Sequence, residues 1–169
     1  MESLYFHPRI VHFPIALAML MPFVLGVLLL AWWRGWLPHK AWWLGVALQL
    51  VLVGSGFLAV RSGEVEEERV EEVVPHDAVE AHEHSGQRLL FASIAVLIGT
   101  ALAGAFAQRQ IGLPLGVACL FGSLVVLAFG YETGKEGGAL VYRHGAAQVY
   151  VTGAAKTPDE GRPALQPVP

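Results

Sequence analysis

The chain has 169 residues, of which 54% are hydrophobic and only 15% charged, with a formal net charge of −3. A soluble domain carries about 25% charged residues, so this composition indicates a protein of the lipid bilayer. The cations form no basic patch, which argues against nucleic acid as a partner. The single cysteine, Cys119, lies in an apolar run and excludes an intramolecular disulfide.

Four apolar runs are long enough to cross the hydrocarbon core of a bilayer, which takes ~20 residues of helix. They cover residues 10–33, 41–61, 86–107 and 113–131. The first run exceeds the ~7–15 apolar residues of a signal peptide, and no short basic segment precedes it, so we expect a retained first helix. Short turns join the first two runs and the last two. The predicted fold is an all-α, up-down-up-down four-helix transmembrane bundle over residues 1–151.

The connections have distinct compositions. The turn over residues 32–43 contains all five tryptophans of the chain, which prefer the headgroup layer and mark one membrane face. Glutamates dominate the segment after the second run, which predicts an acidic extramembrane loop over residues 62–85 whose carboxylates stay in water. Within it, Pro75 is predicted to be the first residue of the helix that leads into the third span.

Glycines follow the fourth run at positions 130, 134, 137 and 138, and we expect them to end its helix. Two β-rich stretches then flank His144 and Gly145, which predicts a small C-terminal hairpin or a cover segment over the mouth of the bundle. Residues 152–169 are rich in proline and predict a flexible tail. Small residues inside the spans, such as Gly56 and Gly122, indicate close helix packing or, alternatively, room for a flat cofactor.

The entry to the first span contains two histidines and two prolines. Pro14 removes a backbone hydrogen bond to the Ile10 carbonyl, which predicts a bend. A histidine at the mouth of a membrane helix is costly unless it is used, so His7 and His12 are functional candidates. The alternatives are that His12 is satisfied by the free carbonyl or by interfacial water, and that His7, held extended by Pro8, is a cap or faces solvent.

Six of the seven histidines fall at the end of the bundle that carries the termini: His7, His12, His76, His82, His84 and His144. In the helix after Pro75, His82 belongs to an apolar stripe, with Gly86 one turn further on, and is predicted to face inward. His76 and His84 share another face, at a spacing compatible with metal binding or with a solvated polar surface. His144 either joins the site or tolerates the backbone of a tight turn.

Two neutral imidazoles on facing helices suit the axial positions of a haem iron, and glycines in a bundle core admit the macrocycle. We therefore expect haem b with His12 and His82 as axial ligands. His84 and His144 are reserve ligands or a second pair, and Gly86 and Tyr142 are expected beside the cofactor. The chain has no CxxCH motif, which excludes covalent c-type haem.

Two other functions fit the same residues. Zinc or copper on His7, His12, His84 and His144 would make the chain a metal-binding or transport protein without redox chemistry. Alternatively, the histidines are interfacial, and the chain is a structural accessory subunit of a membrane complex.

Two segments resemble a bacterial membrane family known as domain of unknown function 2231. Residues 7–17 match HPxxVHFPIAL, and residues 137–145 match GGxLVYxHG. The matching positions are His7, Pro8, His12, Pro14, Gly138, Tyr142, His144 and Gly145. The resemblance covers nearly all of residues 5–151 and implies a four-helix protein of the bacterial inner membrane. Relatives joined to Rieske-type or c-type cytochrome modules imply electron transfer with other membrane redox subunits or a quinone pool.

The number and the density of the basic residues predict opposite orientations of the bundle in the membrane. More of them lie on the termini face, but those in the short turns are denser, and short loops weigh most in the positive-inside rule. We predict that the short turns face the cytoplasm, with the termini and the acidic segment on the periplasmic side.

Overall fold

A computed structural model describes residues 6–148, and all regular secondary structure in this range is helical. The elements are α1 (Phe6–Ile10), α2 (His12–Trp33), a 3-10 turn (His39–Trp42), α3 (Trp43–Val70), α4 (His76–Ala105) and α5 (Gly112–Tyr142). Four segments are long and apolar enough to cross a membrane, namely His7–Trp33, His39–Val70, His76–Ala105 and Gly112–Tyr142. The predicted all-α fold with four spans is confirmed.

Helices α1 and α2 form one segment interrupted at Val11. Pro14 has no N–H to donate to the Ile10 carbonyl, and the neighbouring backbone bonds are long. The Val11 nitrogen lies 3.2 Å from the His7 oxygen, and the Ile15 nitrogen lies 3.4 Å from the Val11 oxygen. The disturbance predicted at this proline is therefore present, and α1 packs against α3.

The long helices form a ring in the order α2, α3, α4, α5, because α2 and α4 each pack against both α3 and α5. Helices α2 and α4 thus stand on one diagonal of the bundle, and α3 and α5 on the other. The turns between α2 and α3 and between α4 and α5 are short, as predicted. Gly35, with a φ of 68°, allows the chain to reverse after α2.

The core is a column of buried apolar side chains along the bundle axis, and glycines bring its helices together. A Cβ atom on Gly122 would lie 2.9 Å from Cγ2 of Val96, and one on Gly99 would lie 3.0 Å from Sγ of Cys119. Both contacts join α4 to α5. Small residues therefore set the distance between these two helices, as the packing interpretation predicts.

The acidic segment is helical up to Val70, so the prediction of a loop is wrong for residues 62–70, whereas the helix predicted from Pro75 is present as α4. Helix α3 runs on to Val70 and α4 begins at His76, so only residues 71–75 connect them. Glutamate is a good helix former, and Arg61 pairs with Glu64 at 2.7 Å across one turn. The 28 residues of α3 span ~42 Å at 1.5 Å per residue. This exceeds a hydrocarbon core of ~30 Å, so an end of the helix extends beyond it.

The glycines from residue 130 onward do not end α5, which continues to Tyr142. Two of them are close contact positions instead. A Cβ atom on Gly130 would lie 3.2 Å from Cβ of Ala18, and one on Gly137 would lie 3.0 Å from Cε1 of His82. Close packing by neighbouring helices therefore overrides the weak helix propensity of glycine here.

The prediction of a C-terminal hairpin is wrong for its first strand, because residues 139–142 belong to helix α5. Past Gly145, which has a φ of 72°, the chain folds back. Buried Ala146 packs there with Val74, Val79 and Leu140. The alternative of a cover segment stays a prediction, because the described residues end at position 148. Residues 149–151 and the predicted tail over 152–169 lie outside the described residues.

Candidate functional site

A chamber of about 510 Å³ lies inside the bundle at the end that carries the N-terminus. All four long helices and α1 contribute to its wall, which is mostly apolar. Leu52 and Ser93 line its deep part, and the bundle beyond them is filled by buried side chains such as Leu25 and Val96. Its volume lies within the ~300–1,000 Å³ of sites for small ligands and cofactors.

Two imidazoles meet in this chamber. His7 is on α1, which leads into α2, and His82 is on α4. Their ring centroids are 6.5 Å apart, and the ring planes are inclined at 83°. Both side chains are partly buried. The fold therefore brings together two potential ligands that are 75 positions apart in the chain.

The His7 ring is fixed through one of its nitrogens. Nδ1 lies 3.0 Å from the Ala59 carbonyl oxygen and 2.8 Å from Oγ of Ser62. The Ser62 hydroxyl donates its own proton to the Ala59 carbonyl at 2.9 Å, so its oxygen acts as an acceptor toward His7. In a neutral ring, Nδ1 then carries the proton, and Nε2 keeps a lone pair for a ligand.

His82 has a nitrogen without a partner. Its Nδ1 is buried, and no group of residues 6–148 forms a hydrogen bond with it, although the Thr133 carbonyl lies beside the ring. Buried polar atoms are almost always paired, so this nitrogen is an exception within the described residues.

A glycine of α3 and a glycine of α5 each lie next to one of the two rings. A Cβ atom on Gly63 of α3 would lie 3.2 Å from Cε1 of His7, and one on Gly137 of α5 would lie 3.0 Å from Cε1 of His82. A side chain at either position would push an imidazole out of place. The two glycines thus give the rings the space that they occupy.

The remaining predicted site residues are divided between the chamber and the outer surface. Gly86 and His12 line the chamber. His12 is exposed at the rim of the chamber. The histidine that lies opposite His82 is His7. Tyr142 also borders the opening and is 90% exposed. His82 therefore faces the interior of the bundle, as the sequence predicts.

His84, His76 and His144 do not belong to the lining of the chamber as described. His84 is exposed, and its Nδ1 lies 3.0 Å from the Glu80 carbonyl oxygen of its own helix. His76 is exposed and pairs with Glu71. His144 is partly exposed in the turn after α5.

Charge in the chamber wall comes from glutamates of α3 and α4. Glu66 is the most enclosed, at 7% exposed, and is close enough to act electrostatically on His7. Across residues 6–148, no three histidine, cysteine, aspartate or glutamate side chains converge as a metal site. The chamber therefore offers two imidazoles as its principal ligands, with one carboxylate in their surroundings.

The sequence also contains a signal that favours His7 over His12 as the inward histidine. The buried face of α2 includes Pro14, Ala18, Met21 and Leu25, which follow one another at three- and four-residue steps. Counting back two turns from Pro14 gives His7, whereas His12 falls on the opposite side. The helical pattern of the first span thus indicates His7 as the inward histidine.

Comparison with known families matches residues 4–150 to a family model described as "Predicted membrane protein (DUF2231)". No curated protein and no solved structure matches the chain significantly.

Proposed function

The chain belongs to this family of predicted membrane proteins, and we propose that it is a b-type cytochrome-like electron-transfer subunit that holds haem between His7 and His82. The proposed partners are other membrane redox subunits or a quinone pool. The proposed location is a bacterial inner membrane, with the chamber on the periplasmic side.

The distance between the two imidazoles carries this proposal. A histidine nitrogen lies ~2.0–2.1 Å from a bound zinc ion and roughly 1.1 Å from its own ring centroid, so two imidazoles that hold one ion of similar size would have centroids about 6.3 Å apart. The separation of His7 and His82 is 6.5 Å. The distance between the two rings therefore suits a metal ion held between them.

The surroundings of the rings fit the same role. Ligating histidines usually donate their second N–H to a carbonyl or another acceptor, which fixes the ring and its tautomer. His7 has this arrangement at Nδ1 with Ala59 and Ser62. Gly63 and Gly137 leave space for the two rings themselves. The chamber would thus hold both imidazoles in place for a ligand.

The choice of electron transfer over catalysis follows from the ligand count. Haem would supply a one-electron couple, and His7 and His82 together would leave its iron without a free position for a substrate. His7 and His82 would hold the iron, and the apolar wall of the chamber would keep water away. The buried contacts of His7 would restrain its ring when the charge of the site changes.

The test is haem retention in histidine variants. The full chain is expressed with ample haem and purified in detergent, and haem is quantified as the pyridine haemochrome. We expect stoichiometric haem in the native protein and loss of most of it in His7→Ala and in His82→Ala. His84→Ala is the matched control, because it removes an exposed histidine from the same helix as His82. Equal haem content in His82→Ala and His84→Ala would contradict the proposal.

A second candidate function is transition-metal binding, which Glu66 favours because it places a carboxylate near His7. Zinc and copper both accept imidazole and carboxylate ligands. Metal analysis of the same preparations separates the two functions. Stoichiometric zinc or copper without haem absorption, lost in both His7→Ala and Glu66→Gln, would favour this candidate over haem.

A further inference from the structure

A second concave surface lies on the outside of the bundle, between α2 and α5. It has a volume of about 370 Å³, and its wall includes Met19 of α2 and Leu127, Tyr131 and Lys135 of α5. Almost all of its lining is apolar, with a tyrosine and a lysine toward the N-terminal end of the bundle. The groove therefore has an apolar part and a single cationic end.

The depth of the groove in the bilayer follows from the helix lengths. At 1.5 Å per residue, Tyr131 lies ~29 Å and Lys135 ~35 Å along α5 from Gly112. Gly112 is at the end of the bundle marked by the tryptophans, and the hydrocarbon core is ~30 Å thick. Tyr131 thus falls at the boundary of the core, and Lys135 falls in the headgroup layer.

Lys135 is exposed and has no carboxylate partner in the described part of the chain. Nearby cations differ in this respect. Arg88 lies 3.9 Å from Glu132, and Arg61 lies 2.7 Å from Glu64. The positive charge at the end of the groove is therefore available to an external anion.

We propose that the groove between α2 and α5 binds one anionic phospholipid. Its phosphate lies against Lys135, and an acyl chain lies along Met19 and Leu127. A lysine at headgroup depth attracts an anionic headgroup, and the apolar groove below it accommodates an acyl chain. These two features together select an anionic phospholipid as the occupant. Tyr131 flanks the lipid at the boundary, where tyrosine is favoured.

The groove shares part of its wall with the chamber. Ile15 and Gly134 line both, and a Cβ atom on Gly134 would lie 3.9 Å from Cδ1 of Ile15. A lipid chain in the groove would cover this stretch of wall from the outside. The lipid would therefore help to close the chamber against the bilayer, although its binding does not depend on what the chamber holds.

The test is lipid titration of the detergent-purified full chain, followed by native mass spectrometry. Phosphatidylglycerol and phosphatidylcholine with identical acyl chains are the probes. We expect one phosphatidylglycerol to bind with about fivefold preference, the size of effect expected for one lysine near an anionic headgroup. Lys135→Ala should remove the preference, and Lys135→Arg should keep it. Arg69→Ala is the matched control, because it removes an exposed cation at the end of α3 and should leave the preference intact.

Two results would overturn this proposal. Equal binding of the two lipids by the native chain would mean that Lys135 only reaches toward the interface without selecting a headgroup. Competition by glycerol 3-phosphate, which has the anionic group but no acyl chains, would identify a site for soluble anions instead. Haem content is measured in the same Lys135→Ala sample and should equal that of the native protein, so failure of the lipid site and failure of the haem proposal are distinguishable.

Discussion

The two ring nitrogens of His7 differ in their surroundings. Nδ1 has hydrogen-bond partners that hold the ring, whereas Nε2 keeps a lone pair for a ligand. The Ala59 carbonyl belongs to the backbone of α3 and is present in any variant, whereas the Ser62 hydroxyl can be removed. Ser62 touches the ring and would not touch the iron, so we regard it as a positioning residue. Such outer partners fix ligand orientation and basicity.

At the residue scale, we predict that Ser62→Ala lowers haem affinity by about tenfold, the lower end of the range for the loss of an outer partner. The midpoint potential should shift as well, because the hydrogen bonding of an axial ligand changes. Haem titration into the haem-free protein and a redox titration measure the two effects. Ser55→Ala is the control, since Ser55 donates the same type of bond to its own helix, at 3.0 Å to the Leu52 carbonyl, without contacting His7. Unchanged affinity and potential in Ser62→Ala would refute the positioning role.

Among the helices, glycines have unequal structural roles. Gly122 faces Val96 so closely that a Cβ atom would lie 2.9 Å from its Cγ2, whereas a Cβ atom on Gly54 would meet nothing within 4 Å. Both are helical and both lie in apolar spans, so the intrinsic cost of glycine in a helix is similar at the two positions.

At the element scale, we predict opposite outcomes for two alanine substitutions. Gly122→Ala should destabilise the bundle by about 1–3 kcal/mol, because the added methyl group overpacks the contact between α4 and α5. Gly54→Ala should be neutral or slightly stabilising, because alanine favours the helix and meets no neighbour. Thermal unfolding of both variants in the same detergent provides the comparison. An equal loss of stability would show that helix packing does not depend on this contact.

The positions of the spans were predictable from sequence, but the helix ends were not. Apolar runs of sufficient length specify a span wherever they occur, and the turn between α2 and α3 was marked by its tryptophans. The glutamates after Arg61 predict a loop by their charge, but glutamate also favours helix, and α3 continues to Val70. Gly130 and Gly137 predict a helix end, but α5 continues through both. Their contacts with Ala18 and His82 come from other helices and are not visible in the local sequence.

The site was predictable to a similar extent. His82 belongs to an apolar stripe that a helical period identifies, so its inward position could be inferred. The pairing with His7 depends on how α1 packs against α3 and on where α4 lies, and no local pattern contains that information. The break at Val11 also decides how α1 enters the bundle, and a proline predicts that such a break exists without predicting its direction.

For the whole molecule, the chamber occupies one end of the bundle and does not extend across the described chain. Buried side chains such as Leu25, Val96 and Trp42 fill the interior beyond its deep part. The exposed residues that line it, including Glu64 and Tyr142, lie toward the N-terminal end. A site closed on one side suits a bound cofactor better than a path for ions, and it would place that cofactor near one membrane face.

The central claim is that His7 and His82 fill both axial positions of one haem. Its most direct test is the visible spectrum of the dithionite-reduced native protein, recorded with and without carbon monoxide. We predict a Soret band and a sharp α band that carbon monoxide leaves unchanged, because a six-coordinate iron has no free position. A featureless visible region, or a Soret band that carbon monoxide shifts, would contradict this account.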